Sequence, residues 1–269
     1  MDLALIVGLA LAFGSLLAMI SLEGASVTAL LIPAPMILVF GGTIAVGIAS
    51  GTLRDAILAF KSLPRAFIGE RRRAADMIDS IVGYADIARS QGLLALEQDL
   101  TEETDPFLKQ ALQNIADGTD ADDLRTMMED EIASTAARNR TASRFYATLG
   151  GYAPTVGIIG TVVSLTHVLE NLDQPSELGH MIAAAFVATL WGLLSANFIW
   201  LPIGNRLQRI GELELERMTV LMEGMLAVQS GAAPHIVADR LTALVSADAG
   251  RPKKKDRRAE PAEEPVDAG

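Results

Sequence analysis

Tyr152-Ala153-Pro154-Thr155-Val156-Gly157-Ile158-Ile159-Gly160-Thr161-Val162-Val163-Ser164-Leu165-Thr166-His167-Val168-Leu169 contains no acid, lysine or arginine. As a helix it is about long enough to cross a ~30 Å hydrocarbon core. Leu3–Ile20, Ala34–Leu53 and Leu178–Ile203 have the same character, and the polar segment Arg54–Arg144 separates the first two stretches from the last two. Core helices of a soluble domain rarely stay free of charge over such lengths. The expected fold class is therefore all-α: a polytopic membrane protein with four transmembrane helices and a cytoplasmic helical bundle.

Composition agrees. Hydrophobic residues make up 50% of the chain but aromatics only 5%, and no stretch shows the in-out alternation of a barrel strand. The chain has no cysteine, which removes disulfides and thiolate metal sites. A net charge of −11 argues against nucleic-acid binding, which needs a basic footprint. Met1-Asp2 places an acid where a signal peptide carries positive charge, so Leu3–Ile20 is expected to be a retained span.

Basic residues set the expected orientation. The links Ser21–Pro33 and Glu170–Glu177 contain no lysine or arginine, whereas Arg54, Lys61, Arg65, Arg71–Arg73, Arg138, Arg140, Arg144, Arg206 and Arg209 all lie on the other side. The positive-inside rule then places both termini and the middle segment in the cytoplasm of an inner membrane. The chain divides into a transmembrane hairpin (1–53), a cytoplasmic helical loop (54–144), spans three and four with helical extensions (145–232), and a C-terminal segment (233–269). Its tail, from about 247, has the composition of disorder. Gly92 is expected to break the loop into two helices. Thr104-Asp105-Pro106 and Gly118-Thr119-Asp120 read as helix starts. The helix from Leu124 is expected to run unbroken into span three, and span four to continue to about Val228.

An enzyme has little to work with here. Of three histidines, only His167 has a carboxylate at helical spacing, Glu170, and no metal site is expected from that pair. No phosphate-binding loop ending in Lys-Ser/Thr is present. The spans carry no acid, lysine or arginine of the kind an ion path needs at membrane depth, and their histidines, His167 and His180, lie near the outer ends. If ions cross, another polypeptide must supply the carboxylate. Pro154 and Pro202, near the cytoplasmic ends of spans three and four, each remove a helix hydrogen bond and can act as hinges at a common depth.

These residues resemble a known family. Ala153-Pro154-Thr155-Val156-Gly157-Ile158-Ile159-Gly160-Thr161-Val162 is similar to the third-span signature of the MotA/PomA flagellar stator subunits, within the MotA/TolQ/ExbB ion-driven superfamily. Ala188-Thr189-Leu190-Trp191-Gly192 with Asn197 and Leu201-Pro202-Ile203 resembles the fourth-span signature. Phe40-Gly41-Gly42-Thr43, Ala59-Phe60-Lys61-Ser62-Leu63 and Ala88-Arg89-Ser90-Gln91-Gly92-Leu93-Leu94-Ala95-Leu96-Glu97 extend the likeness over about residues 1–230. The resemblance implies a homopentamer around a single-span MotB- or PomB-like partner that carries the ion-binding aspartate. It also implies torque on the rotor protein FliG, and no cofactor beyond the transported H+ or Na+. It carries the rotor-contact role to Arg89 and Glu97, the ion-path lining to Thr161, Thr189 and Phe186, and the family's functional prolines to Pro154 and Pro202. A hydroxyl at Thr161 suits sodium, while Ala188 lacks the extra hydroxyl of sodium-type subunits; protons are taken, with sodium as the alternative. Ser90 and Gln98 stand where sodium-type relatives often carry charges. The rival reading is a TolQ/ExbB-like subunit powering an envelope transport process, which the four-span layout disfavours.

Overall fold

The computed structural model describes residues 3–69, 74–101 and 103–245. Arg71–Arg73, Met1-Asp2 and the C-terminal tail with its basic run lie outside them. Among the described residues the secondary structure is helical: α1 (Ala4–Leu22), α2 (Pro33–Ala49), α3 (Leu53–Ile68), α4 (Ile78–Gln91), α5 (Pro106–Ala116), α6 (Ala121–Glu170), α7 (Pro175–Gln229) and α8 (Pro234–Leu244), with 3-10 turns at Val27–Leu30, Ala74–Met77 and Leu93–Thr101.

The punctuation follows local chemistry. Gly92 takes φ +90° and Gly118 φ +78°, left-handed conformations that end a helix at little cost to glycine. Asp105 caps α5, its carboxylate accepting from the Phe107 and Leu108 backbone N–H groups at 3.0 and 3.4 Å, and Pro106 occupies the first turn where no donor is lost. Asp120 likewise caps α6. Thr52 and Asp55 form a reciprocal capping box that starts α3. This box shortens the expected second span: Leu53 belongs to α3, and α2 ends at Ala49. Among the described residues, three helices contain apolar windows long enough to cross a membrane, and α2, at 17 residues, is shorter, spanning about 25 Å at 1.5 Å per residue.

The two stems are as continuous as the sequence implied. α6 runs for 50 residues and α7 for 55, roughly 75 and 80 Å. They pack against each other along most of their length. Pro202 cannot donate to the carbonyl one turn back and its ring crowds that oxygen; the preceding turn, Ser195–Trp200, opens into a π-helical segment, a common accommodation of such a mismatch. A second π segment, Ile37–Gly42, lies in α2.

Two separate cores result. One lies in the helical head, where Ile81, Leu96, Leu108, Leu112, Ile115 and Leu124 meet Leu221, Met225 and Leu241. The other lies where α3 crosses the stems, joining Ala56 and Ala59 to Tyr146, Leu149, Ile203 and Leu207. There the Tyr146 hydroxyl donates to the Ala59 carbonyl at 3.2 Å, and its ring stacks 6.5 Å from that of Trp200. By contrast, only 11% of the apolar window of α1 is buried. Its side chains face outward, an arrangement that only lipid or another apolar surface stabilises.

Ion pairs fasten the head to the stems. Arg217 on α7 pairs with Asp105 in a nearly buried contact. Glu223 receives both Arg125 and Arg240. Glu214 accepts from Arg65 at 2.9 Å and from Asn139 at 2.7 Å, tying α3, α6 and α7 together. Burial pushes the Glu214 carboxyl up, but the Asn139 and Arg65 hydrogen bonds and the Arg65 and Arg217 charges outweigh it and hold it below the ordinary 4.5. A depressed carboxylate contributes stability above its unfolded value and loses it as pH falls through the folded one. Glu214→Gln should therefore cost about 1–3 kcal/mol at neutral pH. Thermal melts across pH should show the difference from wild type shrinking below pH 4.5; a pH-independent difference would refute the linkage.

Candidate functional site: a hydroxyl pair at a glycine crossing

Small residues decide how α6 and α7 meet. Ala153, Gly157 and Gly160 form a buried stripe on α6, facing Ala185, Ala188 and Gly192 on α7. A Cβ placed on Gly157 would lie 2.9 Å from the Ala188 carbonyl oxygen, and one on Gly192 would lie 2.9 Å from that of Ala153. The backbones are in direct contact, as small residues permit in lipid. Gly160 adds a third close point, against Ala188 and Leu38.

One turn from this crossing, toward the α6–α7 loop, the hydroxyls of Thr161 and Thr189 hydrogen-bond to each other. Thr161 Oγ1 also lies 3.1 Å from the Gly157 carbonyl and 3.2 Å from the Ala185 carbonyl. Each hydroxyl has one proton and two lone pairs. With Thr161 donating to a carbonyl, Thr189 donates to Thr161 and keeps its own lone pairs free. Both threonines are half-buried. The cluster can present oxygen ligands or pass a hydrogen bond along, but it holds no group that titrates near neutral pH. Thr161 thus bonds back to its own helix and also meets Thr189.

Phe186, one turn before Thr189, is 72% exposed. Ile158, Ile159, Val162 and Val163 on α6 are also exposed. Apolar surface of this extent on a membrane helix requires lipid or a partner helix against it.

The prolines stay within continuous helices. A Cβ on Gly150 would meet Leu201, while Gly192 abuts Ala153 and Gly157. Pro154 therefore lies level with the start of the π segment, and Pro202 sits roughly 10 Å further toward the head. The two are staggered by more than a turn rather than level.

Arg89 and Glu97 are both exposed, and among the described residues neither forms an ion pair. They do not share a helix face. Arg89 is in the last turn of α4, Gly92 breaks the chain, and Glu97 follows in the 3-10 segment. Glu97 borders an open concavity with Gln91, Leu94, Ala95 and Gln98. His167 and Glu170 remain exposed, 3.9 Å apart, and among the described residues no group of three potential metal ligands gathers.

Sequence reasoning missed Trp191 as a fastener. Its indole N–H donates at 2.7 Å to the Leu30 carbonyl, pinning the α1–α2 link to α7. An indole needs a partner when buried, but nothing in its neighbours named one so distant in the chain. Arg65, Asn139 and Glu214 were likewise invisible as a triad, because their contacts cross 74 to 149 residues.

Apolar helices with two head-to-membrane stems and a charge-free crossing define a multi-pass membrane protein. Residues 99–220 match the family model of the MotA/TolQ/ExbB proton channel family. Motility protein A of Bacillus subtilis is 34% identical over 243 residues, covering 90% of each chain. The solved flagellar MotAB stator complex from Bacillus subtilis contains a chain that is 33% identical, with a TM-score of 0.82, covering 90% of this chain and 96% of that one. A chain in the structure of C. jejuni MotAB matches with a TM-score of 0.88 at 27% identity, covering 94% of this chain and 100% of that one. The chain belongs to the MotA/TolQ/ExbB proton channel family, as a MotA-type flagellar stator subunit. That family comprises stator and ion-channel subunits, not a class of enzymes.

The crossing makes a sharp demand on residue size. Gly157→Val or Gly192→Val forces the stems apart, an overpacking cost of about 1–3 kcal/mol. Each variant should abolish motility, while Gly14→Ala in α1, where a Cβ meets nothing within 4 Å, should swim normally in soft agar.

Proposed function

We propose that this subunit conducts ions only together with a MotB-like single-span partner, and that it converts their passage into torque on the flagellar rotor. The observation that carries this reading is the Thr161–Thr189 pair, set in stretches of α6 and α7 that contain no Asp, Glu, Lys or Arg. The hydroxyls can solvate a passing ion or bind a carboxylate, but the charge-exchanging group must come from outside. A partner aspartate fills that role, and Phe186 offers an apolar surface against the partner's span. A pentameric ring of these subunits encloses the partner, with α6 and α7 lining the path.

On this reading all four apolar segments cross the inner membrane, the short α2 included, with both termini and the head in the cytoplasm, as the distribution of basic residues supports. Pro154 and Pro202 weaken the stems at staggered positions and let ring movement reach the head. Arg89 and Glu97 meet opposite charges on the rotor protein FliG. Exposed pairs contribute on the order of 1 kcal/mol or less, suited to a contact that must release at every step. The transported ion is the proton. Sodium is the alternative, on the strength of the Thr161 hydroxyl.

Thr189→Val keeps shape while deleting the hydroxyl. It should lower swimming speed at least several-fold with normal membrane insertion; wild-type speed would remove the pair from the ion path. Arg89→Glu should impair swimming under load with insertion unchanged, and a compensating charge reversal on the rotor should restore it. Swimming speed of cells driven by this subunit and its partner, with external pH and sodium varied independently, identifies the ion. Proton use predicts dependence on pH alone.

A further inference from the structure

Where the stems leave the charge-free region, α6 and α7 enclose an open groove of about 390 Å³. Its floor is made of small groups, Ala136, Ser143, Ala147, Gly204 and Gly211, and Arg140 and Arg144 stand at its edge. The two arginines are one turn apart on α6 and exposed, and among the described residues neither guanidinium has a hydrogen-bond or ion-pair partner. No acid lies three or four residues from either. Glu212 also lines the groove, but its carboxylate is already held by Arg209 at 3.3 Å and Gln208 at 3.1 Å.

Depth singles out the occupant. Arg144 is the last charged residue before the apolar run of α6, and Arg206 the first after that of α7. The two boundaries are level, because a Cβ on Gly204 would touch the Ala147 amide and the Ser143 carbonyl at 3.1 Å. The headgroup layer adds roughly 6 Å on each side of the hydrocarbon core, about one helical turn, which is the spacing between Arg144 and Arg140. A guanidinium pair with no internal counter-charge, at that depth and beside a cavity, matches a phosphate ester.

We infer that this groove is a binding site for the headgroup of an anionic phospholipid of the cytoplasmic leaflet, held by Arg140 and Arg144. The leaflet rests on the orientation proposed above; binding itself does not. The lipid supplies the negative charge that Glu212, already engaged by Arg209 and Gln208, does not give the two arginines, and it fills the space between the stems.

Native mass spectrometry of the full-length subunit with its partner, purified in detergent and titrated with phosphatidylglycerol or phosphatidylcholine, tests this without reference to orientation or rotation. Phosphatidylglycerol should be retained preferentially. R140Q/R144Q should weaken it about thirtyfold, equivalent to roughly 1 kcal/mol for each of two bases. Ala147→Phe, which fills the groove and keeps both arginines, should also displace the lipid, while Arg54→Gln on α3 should leave it bound. Equal loss on Arg54→Gln would reduce the effect to general surface charge and overturn the site. Equal binding of inorganic phosphate would make it a simple anion site, overturning the lipid assignment. Efficient cross-linking of Gln208→Cys to a second copy of this chain would assign the groove to a subunit interface and overturn the inference.

Discussion

Backbone contact between α6 and α7 at Gly157 and Gly192 is the constraint on which the membrane part of this protein depends. In lipid, apolar side chains gain little by leaving their surroundings, so close packing and hydrogen bonding must hold helices together. The glycines let the two axes approach until carbonyl oxygens replace side chains as neighbours. That approach brings Thr161 and Thr189 into hydrogen-bonding range. A methyl group at either glycine would separate the hydroxyls as well as the helices. Close packing and the hydroxyl contact are thus set by the same residues.

Beyond the crossing the same two helices serve a different environment. Below Arg144 and Arg206 they carry charge, and their stabilisation changes from backbone contact to a hydrophobic core with charged fasteners. Glu214, Arg217 and Glu223 follow one another along α7 and reach α3, α5, α6 and α8. Burying such pairs is costly unless both partners are present, so each one penalises a misplaced helix. The head is held in one arrangement on stems that run into the bilayer without interruption.

Much of this architecture was legible in the sequence because its causes are local. Charge-free runs marked the apolar segments, Gly92 and Gly118 marked helix ends, and Asp105-Pro106 and Asp120 marked starts. The unbroken stems followed from apolar spacing that never lapses. The α2–α3 boundary was misplaced because Leu53 looks apolar, whereas the Thr52–Asp55 capping box, a pattern of side chain to backbone bonds, fixes it. The stagger of the prolines and the Trp191–Leu30 bond were beyond reach, since both depend on how antiparallel helices register in space. Which residue each glycine of the crossing would touch was equally out of reach.

The two cores share no residue. Substitutions in the head therefore have no packed route to the hydroxyl pair except through the stems themselves. The exposed surface of the head around Arg89 and Glu97 can therefore be altered without repacking the crossing between the stems.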